Sequence, residues 1–203
     1  MDWQRELNKA MDEIWNRGHI QNDELDHLTD YIYRTVTYDL LKVRTSILCR
    51  KEGLNFDEVF GYALNRWFNN ITSHYAEDVF TSHSIVEDEE DIYNKEIDFY
   101  INNKPFDLKM SVMPVWFNHT IEYAVENKAE LIEWMYQNCS KERRLHNWNK
   151  IFIVCYSSDG NHNKVKWNLQ LVKEAIDNYM LDYDDRKLTK QGDSYADIIF
   201  IIK

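Results

Sequence analysis

Two apolar runs most restrict what this chain can become. Lys150 to Tyr156 reads Lys-Ile-Phe-Ile-Val-Cys-Tyr, and Ala196 to Ile202 reads Ala-Asp-Ile-Ile-Phe-Ile-Ile. Neither alternates between apolar and polar residues, so neither fits a strand with one wet face. Such runs belong to strands covered on both faces. A helical pattern at about 168–181 lies between them, and helix-separated buried strands imply a sheet with helices on both sides.

The rest of the chain fits that frame. With 203 residues it is long enough for one domain with a real core. Its 5 Gly and 2 Pro argue against long linkers. Residues 2–17 are amphipathic, with Trp3, Leu7, Ala10, Met11, Ile14 and Trp15 at helical spacing, and Gly18 is placed to end the helix. Residues 23–50 carry Leu25, Leu28, Ile32, Val36, Leu40, Val43 and Ile47 at steps of three and four, though many β-branched residues argue against one unbroken helix. Asn55 with Glu58 three residues on forms a capping pattern for a helix to about residue 78. Its apolar stripe is Phe60, Leu64, Trp67, Phe68, Ile71 and Tyr75. A strand near 80–86, two strands within 95–111, a loop at 112–119 and a helix over 120–138 follow. The expectation is an α/β fold, a mixed sheet flanked by helices over 56–203, with an N-terminal helical extension over 1–55.

Three cysteines, Cys49, Cys139 and Cys155, have no metal-ligand spacing and point to reduced thiols. The N-terminus lacks an apolar signal core, and no run approaches the ~18 apolar residues that span a bilayer. A cytoplasmic protein without membrane contact is expected. The net charge is −11, with acids gathered at Glu87–Asp91 and at Asp182, Asp184 and Asp185. Lys141, Arg143, Arg144, His146 and Lys150 make the main basic segment. Gly-rich phosphate loops and nucleophile elbows are absent, and the seven histidines show no paired metal spacing. Asp159-Gly160-Asn161 reads as a turn.

The chemistry concentrates in residues 95–111. Ile97, Phe99 and Ile101 alternate with Asp98 and Tyr100 on the first strand; Phe106, Leu108 and Met110 alternate with Asp107, Lys109 and Ser111 on the second. One hairpin face therefore gathers two carboxylates, an ammonium and a hydroxyl. Asp98 and Asp107 at this spacing can hold Mg²⁺ (or Mn²⁺), which keeps several waters and takes phosphate oxygens as further ligands. Lys109 can orient or deprotonate an attacking water, or stabilise charge on a phosphate. The same pattern also fits a solvated hairpin face with a Lys–Asp pair. Trp116 and Phe117, just beyond, suit either base stacking or packing.

Ile-Asp-Phe-Tyr followed by Pro-Phe-Asp-Leu-Lys resembles the paired strands of the PD-(D/E)xK, or restriction-endonuclease-like, nuclease superfamily. The likeness covers about residues 58–157 by element order. It implies a metal-dependent nuclease acting on nucleic acid, with DNA the expected substrate, Asp98 and Asp107 binding Mg²⁺ and Lys109 serving the water. It departs in having Ile-Asp where such families carry Pro-Asp. Members often add a glutamate from the preceding helix, and Glu77 matches that place. Arg66, Asn70, Ser73 and Glu77 form one polar stripe on that helix; a solvated face is the plainer explanation. Members also place polar or basic residues near the following helix, where Gln137, Lys141, Arg143 and Arg144 lie. The arginines can grip phosphates bidentately, or simply complement a helix dipole. Such domains commonly cut both strands as a dimer, so the resemblance also implies a homodimer. The acidic charge supports a competing expectation, a non-catalytic interaction protein that is a degenerate nuclease fold or a DNA mimic.

Overall fold

The computed structural model describes residues 2–11, 22–91, 94, 96–138 and 148–203. The chain divides into two compact units, Met1–Thr72 and Ser73–Lys203.

The first unit is helical. Helix α1 spans Trp3–Lys9, α2 Asp23–Leu28 and α3 Tyr38–Glu52, with a 3-10 turn at Asp30–Arg34. Helix α4, Phe56–Thr81, opens in this unit and closes in the second. The periodic run 23–50 is thus broken. Thr29 and Thr35 turn their hydroxyls back onto the carbonyls of Leu25 and Tyr31, each at 2.6 Å. Such back-bonding gives the chain an alternative to helix continuation. Thr37 then caps α3 by accepting the Leu40 N–H at 3.3 Å. The buried stripe of α3 is Tyr38, Leu41, Thr45 and Cys49. Val36, Val43 and Ile47, expected inside, are 45%, 55% and 61% exposed. Asn55 caps α4 as expected, accepting the Glu58 N–H at 3.1 Å. Trp67 is fully buried on α4 and donates from Nε1 to the Thr35 carbonyl at 2.7 Å. Of the expected residues 2–17 helix, 12–17 lie outside the described residues.

The second unit is built on a six-stranded mixed sheet, order β1-β2-β3-β4-β6-β5. The strands are β1 Val86–Asp88, β2 Phe99–Ile101, β3 Lys104–Val112, β4 Asn149–Tyr156, β5 Thr189–Gln191 and β6 Ser194–Ile202. β3, β4 and β6 run parallel; β1, β2 and β5 are antiparallel to their neighbours. Helices α5 (Ile121–Glu126) and α6 (Lys128–Asn138) cover one face through Ile121, Ala124, Leu131, Ile132 and Met135, against Phe152, Val154 and Ile198. The end of α4, α7 (His162–Trp167) and α8 (Leu169–Leu181) cover the other through Val79, Phe80, Val165, Val172 and Ile176. The two apolar runs are the interior strands β4 and β6, as their uniform composition requires.

Several boundaries differ from the sequence expectation. Residues 80 and 81 are still helical because Ala76, Val79 and Phe80 keep helical spacing against the sheet, so the expected strand begins only at Val86. Glu87 and Asp88 of the acidic run lie exposed on the edge strand β1, where charge discourages pairing with another chain. The expected 120–138 helix breaks at Asn127, whose amide donates back to the Tyr123 carbonyl at 2.9 Å. Val125 on α5 is 40% exposed. Among the described residues no helix is long and apolar enough to cross a membrane.

Candidate active site

The site begins at the mouth of the β2–β3 hairpin. Asn102 and Asn103 turn the chain with φ of 48° and 62°, the doubly left-handed geometry that suits a two-residue hairpin. The turn fixes Phe99 opposite Phe106. One residue before β2, the Asp98 N–H donates to the Phe106 carbonyl at 2.8 Å. The Asp98 carboxylate then accepts the Leu108 N–H at 2.6 Å. A side chain thereby takes the place that a backbone carbonyl would hold in a longer ladder. Asp98, just before β2, and Asp107 on β3 are thereby brought within electrostatic reach of each other.

Glu77 is brought from α4. Phe80, one turn further along the helix, stacks on Phe99 with ring centroids 4.7 Å apart. The helix is thus pinned beside the strand residue that follows Asp98. Burial pushes the Asp98 carboxyl up to about 6; the charges of Glu77 and Asp107 add to it, while the Leu108 N–H and Lys109 oppose it. Glu77 also holds His74 Nδ1 at 2.8 Å, and this hydrogen bond raises the imidazole above its ordinary value. Arg66, on the same expected stripe, does not join them. It binds the Asp26 carbonyl, Thr29, Asp30 and Tyr33 within the first unit.

Asp107 is 6% exposed and has both carboxylate oxygens paired. Oδ1 meets Lys109 Nζ at 2.5 Å. Oδ2 meets the ammonium of Lys150. Parallel pairing of β3 and β4 puts Lys150 directly opposite Asp107. The Lys150 side chain is 12% exposed and lies over the Tyr136 ring at 5.9 Å, whereas that of Lys109 is 56% exposed. Asn149 braces this end of the sheet, donating to the Pro105 carbonyl and accepting the Tyr195 N–H, each at 2.9 Å. In the sequence Lys150 stands only as the last cation of the 141–150 basic segment. Its signal was a lone cation opening an otherwise apolar strand.

The other expected contributors divide. Ser111 Oγ is buried without a hydrogen-bond partner among the described residues. Gln137 is exposed on α6 and donates to Glu133 at 3.1 Å. Lys141, Arg143 and Arg144 lie outside the described residues, as does Cys139. Trp116 is 80% exposed, whereas Phe117 is buried edge-on to Trp134 at 6.0 Å.

Among the described residues no three His, Cys, Asp or Glu side chains are grouped to hold a metal by themselves. Mg²⁺ does not need three: one or two carboxylates, waters and phosphate oxygens complete its shell. Asp98 and Asp107 supply hard oxygen donors of that kind. Burial is the main cause of the rise at Asp98; the charges of Glu77 and Asp107 that add to it are what a cation would offset. Compared with family models, with curated proteins and with solved structures, the chain finds no match.

Proposed function

We propose that this chain is a Mg²⁺-dependent nuclease that hydrolyses phosphodiester bonds of DNA, built on a restriction-endonuclease-like core. The observation that carries the proposal is the pairing of Asp98 with Asp107 on one hairpin face, with Lys109 ion-paired to Asp107 and Glu77 close enough to raise Asp98. Asp98 and Asp107 would hold the metal, with Glu77 assisting. When bound, Mg²⁺ supplies positive charge to the phosphate and makes a bound water more acidic. Lys109 is exposed and sits on Asp107 Oδ1. Released from that carboxylate, its ammonium can orient the attacking water or stabilise charge on the phosphate oxygens. A cytoplasmic location and a homodimer that cuts both strands belong to the same proposal.

A second reading has its own support. Both oxygens of Asp107 are already compensated by lysines, and the chain carries −11 overall. A non-catalytic acidic binding protein would look the same at this position. Incubation of plasmid and single-stranded DNA with Mg²⁺, and with chelator, separates the two. The nuclease cuts in the metal and not in the chelator; an acidic binding protein cuts in neither.

A further inference from the structure

Lys109 and Lys150 both pair with Asp107, but they are held differently. Lys109 extends from β3 with more than half of its side chain in solvent. Its ammonium stays hydrated on leaving, and Lys150 remains on the buried carboxylate to offset the charge. Lys150 enters from β4 under the hydrogen-bonded register, with about an eighth of its side chain accessible. The Tyr136 ring closes one side of it, and Tyr136 is itself 2% exposed. Withdrawing Lys150 would leave a buried carboxylate short of a partner, which is expensive.

We infer that Lys150 is the positioning residue of this site: it keeps Asp107 Oδ2 occupied, leaves Oδ1 as the oxygen a divalent cation can take over from Lys109, and limits how tightly that cation binds. The function of Lys150 rests on the nuclease proposal only in the identity of the ligand, a divalent cation. Asp98 and Asp107 set two carboxylates against the two ammonium groups of Lys109 and Lys150. Remove Lys150 and this balance becomes one excess negative charge. A fixed ammonium within a few ångströms of a divalent ion repels it strongly in a partly buried site. Its loss should therefore tighten metal binding while loosening the aim of Asp107.

The test is Mn²⁺ binding to the full, metal-free chain, read from the electron paramagnetic resonance signal of free Mn²⁺. Lys150→Gln removes the charge and keeps a hydrogen-bond donor; Lys150→Arg keeps the charge. The expected result is about tenfold tighter Mn²⁺ binding in K150Q, wild-type affinity in K150R, and loss of the gain when Asp107→Asn is added. A residue with a merely structural role would weaken binding when replaced, not strengthen it. Lys150→Met gives the same reading should K150Q fail to fold by circular dichroism. Equal or weaker Mn²⁺ binding in the folded, charge-removed variant overturns the inference, as does absence of Mn²⁺ binding in every variant. DNA cleavage by the same samples keeps the two ideas apart. A gain in Mn²⁺ affinity without cleavage upholds Lys150 and rejects the nuclease. Cleavage without the gain upholds the nuclease and rejects Lys150.

Discussion

The carboxylate of Asp98 accepts the backbone N–H of Leu108 at 2.6 Å, so a side chain of the candidate site also completes the β2–β3 ladder. The two duties conflict. As an acceptor, Asp98 satisfies a partly buried amide; as a carboxylate, it is buried beside Glu77 and Asp107 and pushed up to about 6.

The conflict separates two substitutions in chelator at neutral pH. Asp98→Asn keeps an oxygen for the Leu108 N–H and removes the crowded charge, so its melting temperature should exceed that of the wild type. Asp98→Ala removes the same charge but leaves the amide unpaired, and should be less stable than Asp98→Asn by about 1–3 kcal/mol. Thermal melts followed by circular dichroism decide; equal melting temperatures for D98N and D98A would remove the ladder role.

The hairpin turn offers a second check. Asn102 and Asn103 both sit at positive φ. Asn103→Gly should raise stability by a few tenths of a kcal/mol to about 1 kcal/mol, because glycine enters that region freely. Asn103→Val should lower it by about 1–2 kcal/mol. Urea unfolding of the three proteins reads the order directly.

Lys166 sets a pH dependence away from the candidate site. It is 3% exposed on α7 and donates to the Met110 carbonyl at 3.2 Å. Burial lowers its ammonium from 10.5 to about 8, with the neighbouring Cys155 opposing. Between those values the unfolded chain holds a proton that the folded chain lacks, so stability from this group rises with pH. Below pH 8 both states are charged and the folded state bears the full penalty of burying that charge. Lys166→Met should therefore be more stable than the wild type at pH 7, by up to roughly 3 kcal/mol. The difference should shrink as pH climbs from 8 to 10.5; a constant difference would contradict the assignment. Burial likewise holds the Cys155 thiol up to about 12. It should resist iodoacetamide in the folded protein at pH 8 and react once the chain is unfolded.

The legible parts of this fold are those written in local pattern. β4 and β6 announce themselves by uniform apolar composition, the Asn55 cap by its spacing to Glu58, and the hairpin by alternation around Asn102-Asn103. What escaped depends on partners distant in sequence. The α3 stripe is offset because Leu41, Thr45 and Cys49, rather than Val43 and Ile47, meet the core. β5 is three polar-leaning residues that become a strand only by pairing with β6 across a turn at Gly192. The division between the units falls within α4, where no linker composition marks it. In the candidate site, Asp98, Asp107 and Lys109 could be read from one hairpin. Lys150 could not, because only the parallel register of β3 with β4, some forty residues apart, places it on Asp107.

The central claim is that the Asp98–Asp107 pair and Lys109 hydrolyse DNA with a divalent cation. Its most direct test is the single-turnover cleavage rate of plasmid and single-stranded DNA in saturating Mg²⁺, wild type beside Asp107→Ala and Lys109→Ala, each confirmed folded. The account predicts cleavage by the wild type and a loss of about 10²-fold or more in both variants. Wild-type cleavage unaffected by either substitution, or no cleavage of DNA at any Mg²⁺ or Mn²⁺ concentration by the folded chain, would contradict it.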